Sequence, residues 1–410
     1  MSLMSDLRGL NRSQRGAVTA SFLGWTLDAF DYFIMIVVLD NIAEDFHTAV
    51  SAVSYGIFLT LVMRPVGAFV FGLLADRFGR RPILMLDILL YSAVEFASAF
   101  APDLTTLLVL RAVFGFAMGG EWGVGSSLVM ESIPPSTRGA ISGLLQEGYA
   151  AGFLLATGAY WVIYHFHLGI GWRGMFIIGA IPALLVVYIR SSVEESPAWT
   201  ERDRQSSGMI EAIAREWKLL LYIVLMMSCF NAFSHGTQDL YKQLLVKQHG
   251  FDTDTVTILL VVGNVGAIIG GLSFGAISEY IGRRRAIVIS ALLALPIIPL
   301  WAYSSSAGML ALGVFLMQIS VQGAWGIVPV HLNELAPAEV RGTVPGFTYQ
   351  LGNAVISLLG PLQAGLAESR GNDYAFALAA TTAGVAVLLA LVVGFGRERK
   401  GISMAARTAP

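Results

Sequence analysis

Hydrophobic and polar positions divide the chain into twelve apolar segments, at roughly 17–39, 52–75, 83–101, 104–130, 139–163, 173–190, 218–241, 254–278, 286–303, 308–331, 342–366 and 374–395. Most hold about 20 residues, the length of α-helix that crosses a ~30 Å hydrocarbon core, so each is predicted to span a membrane. The polar stretches between them are short, with one exception. Val193 to Trp217 carries Glu194, Glu195, Glu201, Arg202, Asp203, Arg204, Glu211 and Arg215, and reads as a linker, in part an amphipathic helix, joining six segments to six. The pattern predicts an all-α membrane protein of twelve transmembrane helices. An N-terminal six-helix bundle takes residues 1–192, the linker 193–217, and a C-terminal six-helix bundle 218–410.

The two bundles repeat one another. GLLADRFGRR (Gly72 to Arg81) returns 203 positions later as GAISEYIGRR (Gly275 to Arg284), and at that offset GGEWGVG (Gly119 to Gly125) falls on QGAWGIV (Gln322 to Val328). Glu131, Pro134, Arg138, Gly139 and Gly143 fall on Glu334, Pro337, Arg341, Gly342 and Gly346. So long a period without insertions describes two pseudo-symmetric halves and not a solenoid.

Composition agrees: 55% of residues are apolar and 13% charged, where soluble domains carry about 25% charge. Basic residues are unevenly placed. With a cytosolic N-terminus, the inside receives the arginines from Arg8 to Arg15, from Arg77 to Arg81, from Arg283 to Arg285 and from Arg397 to Arg407. It also receives Arg138, Arg341 and the linker's basic residues; the outside receives only Arg173, Lys247 and Arg370, with Lys242 near that surface. This bias predicts both termini in the cytosol and a plasma (inner) membrane location. The basic loops are topology signals behind a net charge of −2 and make no case for nucleic acid. No small-residue cleavage site follows the first segment, which reads as a retained helix. The single Cys229 lies in an apolar segment, so no disulfide, metal site or cofactor is expected, and nothing requires a second subunit.

The two G-x-x-x-[DE]-[RY]-x-G-R-R loops, an R-x-x-x-G-x-x-x-G run at Arg111, Gly115 and Gly119, and the six-plus-six arrangement together resemble the major facilitator superfamily over nearly the whole chain. Within it, WTLDAFDYF (Trp25 to Phe33), MRPVGA (Met63 to Ala68), GGEWG and NAFSHGTQD (Asn231 to Asp239) look like the sialate:proton symporter branch, which includes fungal-type lactate and pyruvate permeases. That group's pattern N-x-x-[ST]-H-x-[ST]-Q-D-x-x-x-T is matched from Asn231 to Asp239, with Gln243 where a threonine is expected. Sialic acid carriers of the branch tend to have extra membrane segments in the middle, and this chain has only the short linker, so the resemblance favours a small monocarboxylate. Gly72, Asp76, Arg77, Gly79, Arg80, Arg81, Glu131 and Arg138, with Glu279, Arg283, Arg284, Glu334 and Arg341, are the gating candidates. Asp76 or Glu279 is placed to cap a neighbouring helix, and salt bridges between the halves would bias one conformation. Read plainly, the arginines are positive-inside anchors.

A charge at mid-membrane costs roughly 2.5 to 3.5 kcal/mol on insertion scales, so each needs a partner, a cavity or a task. Arg64 lies near the midplane, as do Asp28 and Asp31, which share one helical face. Arg111 and Glu121 occupy the fourth segment, Asp87 and Glu95 the third, and Glu147 the fifth. On the seventh, Asn231, His235, Gln238, Asp239 and Lys242 draw one polar stripe that must line a water-filled cavity or pack against the other half. Plainer readings compete. Asp28 or Asp31 with Arg64 is also a neutralised structural pair, Arg111 a brace, Glu121 a protonated packed acid, and His235 a hydrogen-bonded interior histidine. His165 and His167 sit at the outer end of the fifth segment and read as interfacial. The repeat weighs between these readings. Asp28-Ala-Phe-Asp31 lands on Asn231-Ala-Phe-Ser234 and Tyr32 on His235, while Arg64, Arg111 and Glu121 face Ala267, Val314 and Ala324. A scaffold role common to both halves predicts charges in both, and these are in one.

The expected activity is therefore secondary transport of a small monocarboxylate with a proton, by alternating access. No nucleotide-binding loop and no nucleophile, base or metal constellation points to an enzyme. Arg64 and Arg111 are expected to bind the carboxylate, with Asn231, Ser234, His235 and Gln238 hydrogen-bonding it. Asp28, Asp31, Glu121 and Asp239 are the proton-coupling candidates. Sialate, aromatic-acid or dicarboxylate symport, drug:proton antiport and a facilitator-fold nutrient sensor are the alternatives.

Overall fold

The computed structural model describes residues 3–201 and 209–404. Arg202, Asp203, Arg204 and Arg407 lie outside the described residues, as does the middle of the linker's expected helix. Twelve helices or helix pairs follow in order. They are α1 (Arg12–Val37), α2 (Val50–Phe78), α3 (Arg80–Ser98), α4 (Leu104–Met118 and Glu121–Ser132), α5 (Arg138–Gln146 and Gly148–His165) and α6 (Gly171–Ile178 and Ala183–Ser192). The second six are α7 (Trp217–Gln238), α8 (Thr253–Ile281), α9 (Arg283–Ala302), α10 (Ala307–Trp325 and Val328–Leu335), α11 (Val344–Val355 and Leu359–Glu368) and α12 (Tyr374–Gly394). Among the described residues nine spans are long and apolar enough to cross a membrane. α3, which carries Arg80, Arg81, Asp87 and Glu95, and the interrupted α5 and α11 complete the twelve.

Local chemistry explains most boundaries. Asn11 and Gln14 form a reciprocal capping box at the start of α1, and Asp103, Asp252, Ser306 and Asp373 cap α4, α8, α10 and α12. α2 turns into α3 at Gly79 and α8 into α9 at Gly282, with φ of 111° and 95°, a backbone that a side chain would strain. Five apolar segments that read as single helices are broken ones. α4 breaks at Gly119 and Gly120, and α6 between Gly179 and Pro182, where glycine propagates a helix poorly and proline lacks its N–H.

Glycine also sets the packing within each half. A Cβ on Gly67 of α2 would lie 1.8 Å from the Phe116 carbonyl oxygen of α4, and one on Gly270 of α8 would lie 2.5 Å from that of Ile319 in α10. Without a hydrophobic drive between helices in lipid, such close backbone approach supplies the dispersion contact. The halves themselves meet at the end that bears both termini. There Gly139 and Gly143 of α5 press on Gly271 and Gly275 of α8, and Gly72 of α2 on Thr343 at the start of α11.

Candidate functional site

On the side remote from the termini, the halves part around a cavity of about 460 Å³. Tyr32 and Phe33 of α1 and Tyr149 and Phe153 of α5 wall one side; α7, α8 and α10 wall the other. Aromatic rings make its floor: Tyr349 packs between Trp122 and Trp325 at centroid distances of 4.9 and 5.6 Å, and Trp25 stacks on Tyr149 at 5.6 Å. Trp122 and Trp325 are partners in the 203-residue repeat, so the pseudosymmetry axis passes beneath the cavity.

The polar stripe of α7 faces this space. Asn231, Ser234, His235, Gln238 and Asp239 all line it, while Lys242 is exposed outside the lining. His235 Nδ1 lies 3.2 Å from both Asp239 oxygens, and both side chains are 47% exposed, so the pair reaches solvent. Gln238 donates to Gln318 Oε1 at 3.1 Å, and Asn231 to the Tyr349 carbonyl at 3.3 Å. Gln146, Asn264, Gln318 and Gln322 add four amides that the sequence reading missed, since a neutral amide in an apolar helix raises no charge signal.

The charges of the N-terminal half are placed elsewhere. Arg64 and Arg111, expected at the substrate carboxylate, do not line the cavity. Arg64 donates to Asp28 at 3.1 Å with both side chains buried, behind the Tyr32 ring that does line it. Arg111 is fully buried, donating to Glu95 at 2.7 Å and Ser98 at 2.6 Å, with its guanidinium over Phe114 and Phe176. A guanidinium in lipid takes the nearest acid, and here that acid is on a neighbouring helix. Glu95, for which the sequence suggested no role, is thus the partner of Arg111. Asp31, Asp87 and Glu121 are buried with both carboxyl oxygens lacking a hydrogen-bond partner, and of the proton-coupling candidates only Asp239 borders the cavity.

Two symmetric charge networks close the terminus-bearing end. Arg80 pairs with Asp76 at 2.6 Å and Glu131 at 3.0 Å; Arg283 pairs with Glu279 at 3.0 Å and Glu334 at 3.1 Å. The acids then reach across. Asp76 accepts from the Gly342 and Thr343 amides at 2.9 and 3.0 Å and from Thr343 Oγ1 at 2.7 Å, capping α11 of the other half. Glu279 accepts from the Gly139 amide at the start of α5. Arg138 donates to the Met130 carbonyl, and Arg341 donates to that of Asn333 and lies 3.5 Å from Glu131. Arg77 is exposed, with its guanidinium over the Phe78 ring. Two further acids belong here: Glu195 accepts from the Arg80 and Arg81 amides, and Glu398 from that of Arg284. They too are 203 positions apart, the signal by which the sequence discloses them. Burial pushes the Glu195 carboxyl above the usual glutamate range, against those backbone donors.

Twelve helices in two halves, a central polar cavity and paired charge networks closing one end define an integral membrane transporter and not an enzyme. The family model of the Major Facilitator Superfamily matches residues 21–361, with a second match over 224–403, and the chain belongs to that family. It is 29% identical to the "Sialic acid transporter NanX" of Escherichia coli, over 94% of this chain and 95% of the relative. It is 28% identical to the "Carboxylic acid transporter protein homolog" of Saccharomyces cerevisiae, over 92% of this chain and 67% of the relative. Its fold matches the proton:xylose symporter XylE with a TM-score of 0.79 at 20% identity, covering 96% and 98% of the two chains.

Proposed function

We propose that the chain is a proton-coupled symporter of a small monocarboxylate, of the lactate or pyruvate kind, in the sialate:proton symporter branch of its family. On this reading it sits in the plasma (inner) membrane with both termini cytosolic, and the cavity faces outward. The observation that carries the reading is the cavity lining, which holds the carboxyl groups of Asp239 and Glu147 and no arginine or lysine among the described residues. Adding a carboxylate to such a site without a proton would gather uncompensated negative charge in a poorly solvated space. An acid that enters with its proton adds none. It also crosses an inside-negative membrane without the penalty of ~2.3 kcal/mol per charge per 100 mV.

The carboxylate is met by the α7 stripe, Asn231, Ser234, His235 and Gln238, in place of the two sequestered arginines. The halves then rock about the aromatic floor, breaking the networks of Arg80 and Arg283 as the cavity closes on one side and opens on the other. The relatives' names add support, since sialic acids and carboxylic acids share the carboxylate. The test is reconstitution in liposomes with an internal pH indicator, presenting lactate, pyruvate, benzoate, succinate and N-acetylneuraminate. Acidification with lactate or pyruvate above that in protein-free liposomes is the expected result. Acidification by N-acetylneuraminate alone would move the substrate to the bulkier acid, which the 460 Å³ cavity favours as second reading. Silence with every acid would refute the symport.

A further inference from the structure

The acids of the membrane interior divide by what they can reach. Asp28, Asp31, Asp87, Glu95 and Glu121 are buried within the N-terminal half, and none lines the cavity. Asp239 is half exposed in the cavity, 3.2 Å from His235. Glu147 differs from all of these. It stands at the break between the two segments of α5, lines the cavity, and lies against α8 of the opposite half. Its Oε1 is buried without a hydrogen-bond partner and points at Gly271, so closely that a Cβ there would sit 2.0 Å away. Its other oxygen is not enclosed in that way.

We propose that Glu147 carries the coupled proton, loading it from the cavity and releasing it on the far side when the α5–α8 seam opens. The inference rests on the proton-coupled reading above. A proton carrier in alternating access must meet each side in turn. Glu147 sits on the partition between the open cavity and the closed seam, where Gly143 and Gly271 touch through bare backbone. Ionised, its carboxylate belongs in the cavity water, because in the seam Oε1 finds no donor. With a proton, the neutral carboxyl rests with Oε1 against Gly271, on the seam side of that partition. Separation of α5 from α8 then exposes it to the opposite solution, and the carboxylate returns turned toward water. The titratable groups that share the cavity with it are Tyr32 of α1, Tyr149 of α5 itself, His235 and Asp239 of α7, Tyr241 just beyond α7, and Tyr349 of α11. None of them hydrogen-bonds or ion-pairs with Glu147, and the residues that α8 and α10 bring to the cavity lining, Asn264, Gln318 and Gln322 among them, carry no titratable side chain. The repeat places Gln350 opposite Glu147, so the acid is not demanded by the shared fold.

The test compares wild type with Glu147→Gln in liposomes, using whichever of lactate, pyruvate or N-acetylneuraminate acidifies the wild-type vesicles. Exchange of labelled for unlabelled acid at equal pH is expected to stay within about threefold of wild type, while gradient-driven accumulation and internal acidification fall at least ~tenfold. Exchange by the variant should also lose its pH dependence. A variant that accumulates acid as wild type does overturns the inference, as does a monodisperse variant that loses exchange and accumulation together. Should Glu147→Gln not fold, Glu147→Asp is read for a shifted pH dependence of exchange, and an unshifted one overturns the inference equally. A wild type that moves no proton with any acid overturns the symport reading itself, which keeps the two failures apart.

Discussion

Arg111 offers the sharpest separation of scaffold from substrate site. Its side chain is fully buried, donating to Glu95 and Ser98 at 2.7 and 2.6 Å and lying 4.4 and 4.9 Å from the Phe114 and Phe176 ring centroids. Replacing it by Gln strands the Glu95 carboxylate. Breaking a buried pair from one side costs about 3–5 kcal/mol, and the lost ring contacts add up to ~2 kcal/mol more. Protonation of the stranded Glu95 caps that cost, so about 3 kcal/mol is the expected loss, or roughly a hundredfold in the folding equilibrium. The measurement is a double-mutant cycle of Arg111→Gln, Glu95→Gln and both together, unfolded by SDS titration in mixed micelles. The double variant should recover at least ~1.5 kcal/mol of the summed losses, since residues in contact couple by about 0.5–3 kcal/mol. It should still exchange substrate. An Arg111→Gln protein within ~0.5 kcal/mol of wild type that has lost acid binding would refute the structural assignment and return Arg111 to the carboxylate.

Three further outcomes follow from the geometry. Gly143→Ala places a Cβ 2.4 Å from the Gly271 carbonyl oxygen and should open the seam at a cost of about 1–3 kcal/mol, seen as faster labelling of a cysteine placed at Ser142. His235→Ala should weaken acid binding by about 10- to 150-fold, the worth of a charged hydrogen bond of about 1.5–3 kcal/mol, measured as the half-saturation of exchange. An unchanged value would remove His235 from the binding site. Glu195 bears on pH. Its folded value is raised by burial, so its contribution to stability is fully present below the ordinary glutamate value and declines as pH rises through the folded one. Glu195→Gln, which keeps an acceptor without the charge, should match the wild-type melting temperature at acid pH and exceed it at alkaline pH. A difference independent of pH would contradict that account.

Much of this molecule is legible in residue order, for reasons that differ by feature. The α7 stripe announces itself because polar groups at steps of three and four on an apolar helix have only water or protein to face. The charge networks announce themselves because Glu131 and Glu334, Arg80 and Arg283 repeat in register, and the same register holds Glu195 and Glu398, which a motif search passes over. The destination of Arg64 and Arg111 is not legible. An arginine at mid-depth is equally compatible with a ligand and with a neighbouring acid, and only the proximity of Asp28 and Glu95 decides.

Residue order alone suffices for the class: lipid demands about 20 apolar residues per span, and a 203-residue repeat demands two like halves. Those constraints act along the chain and need no knowledge of what touches what. The packing of the helices against one another supplies the rest. It chose which charges are paired away and which line the cavity, and set Glu147 of one half against Gly271 of the other. These are matters of distance between helices far apart in sequence. A side chain's electrostatic role in a membrane depends on whether water, an opposite charge or bare backbone lies within a few ångströms.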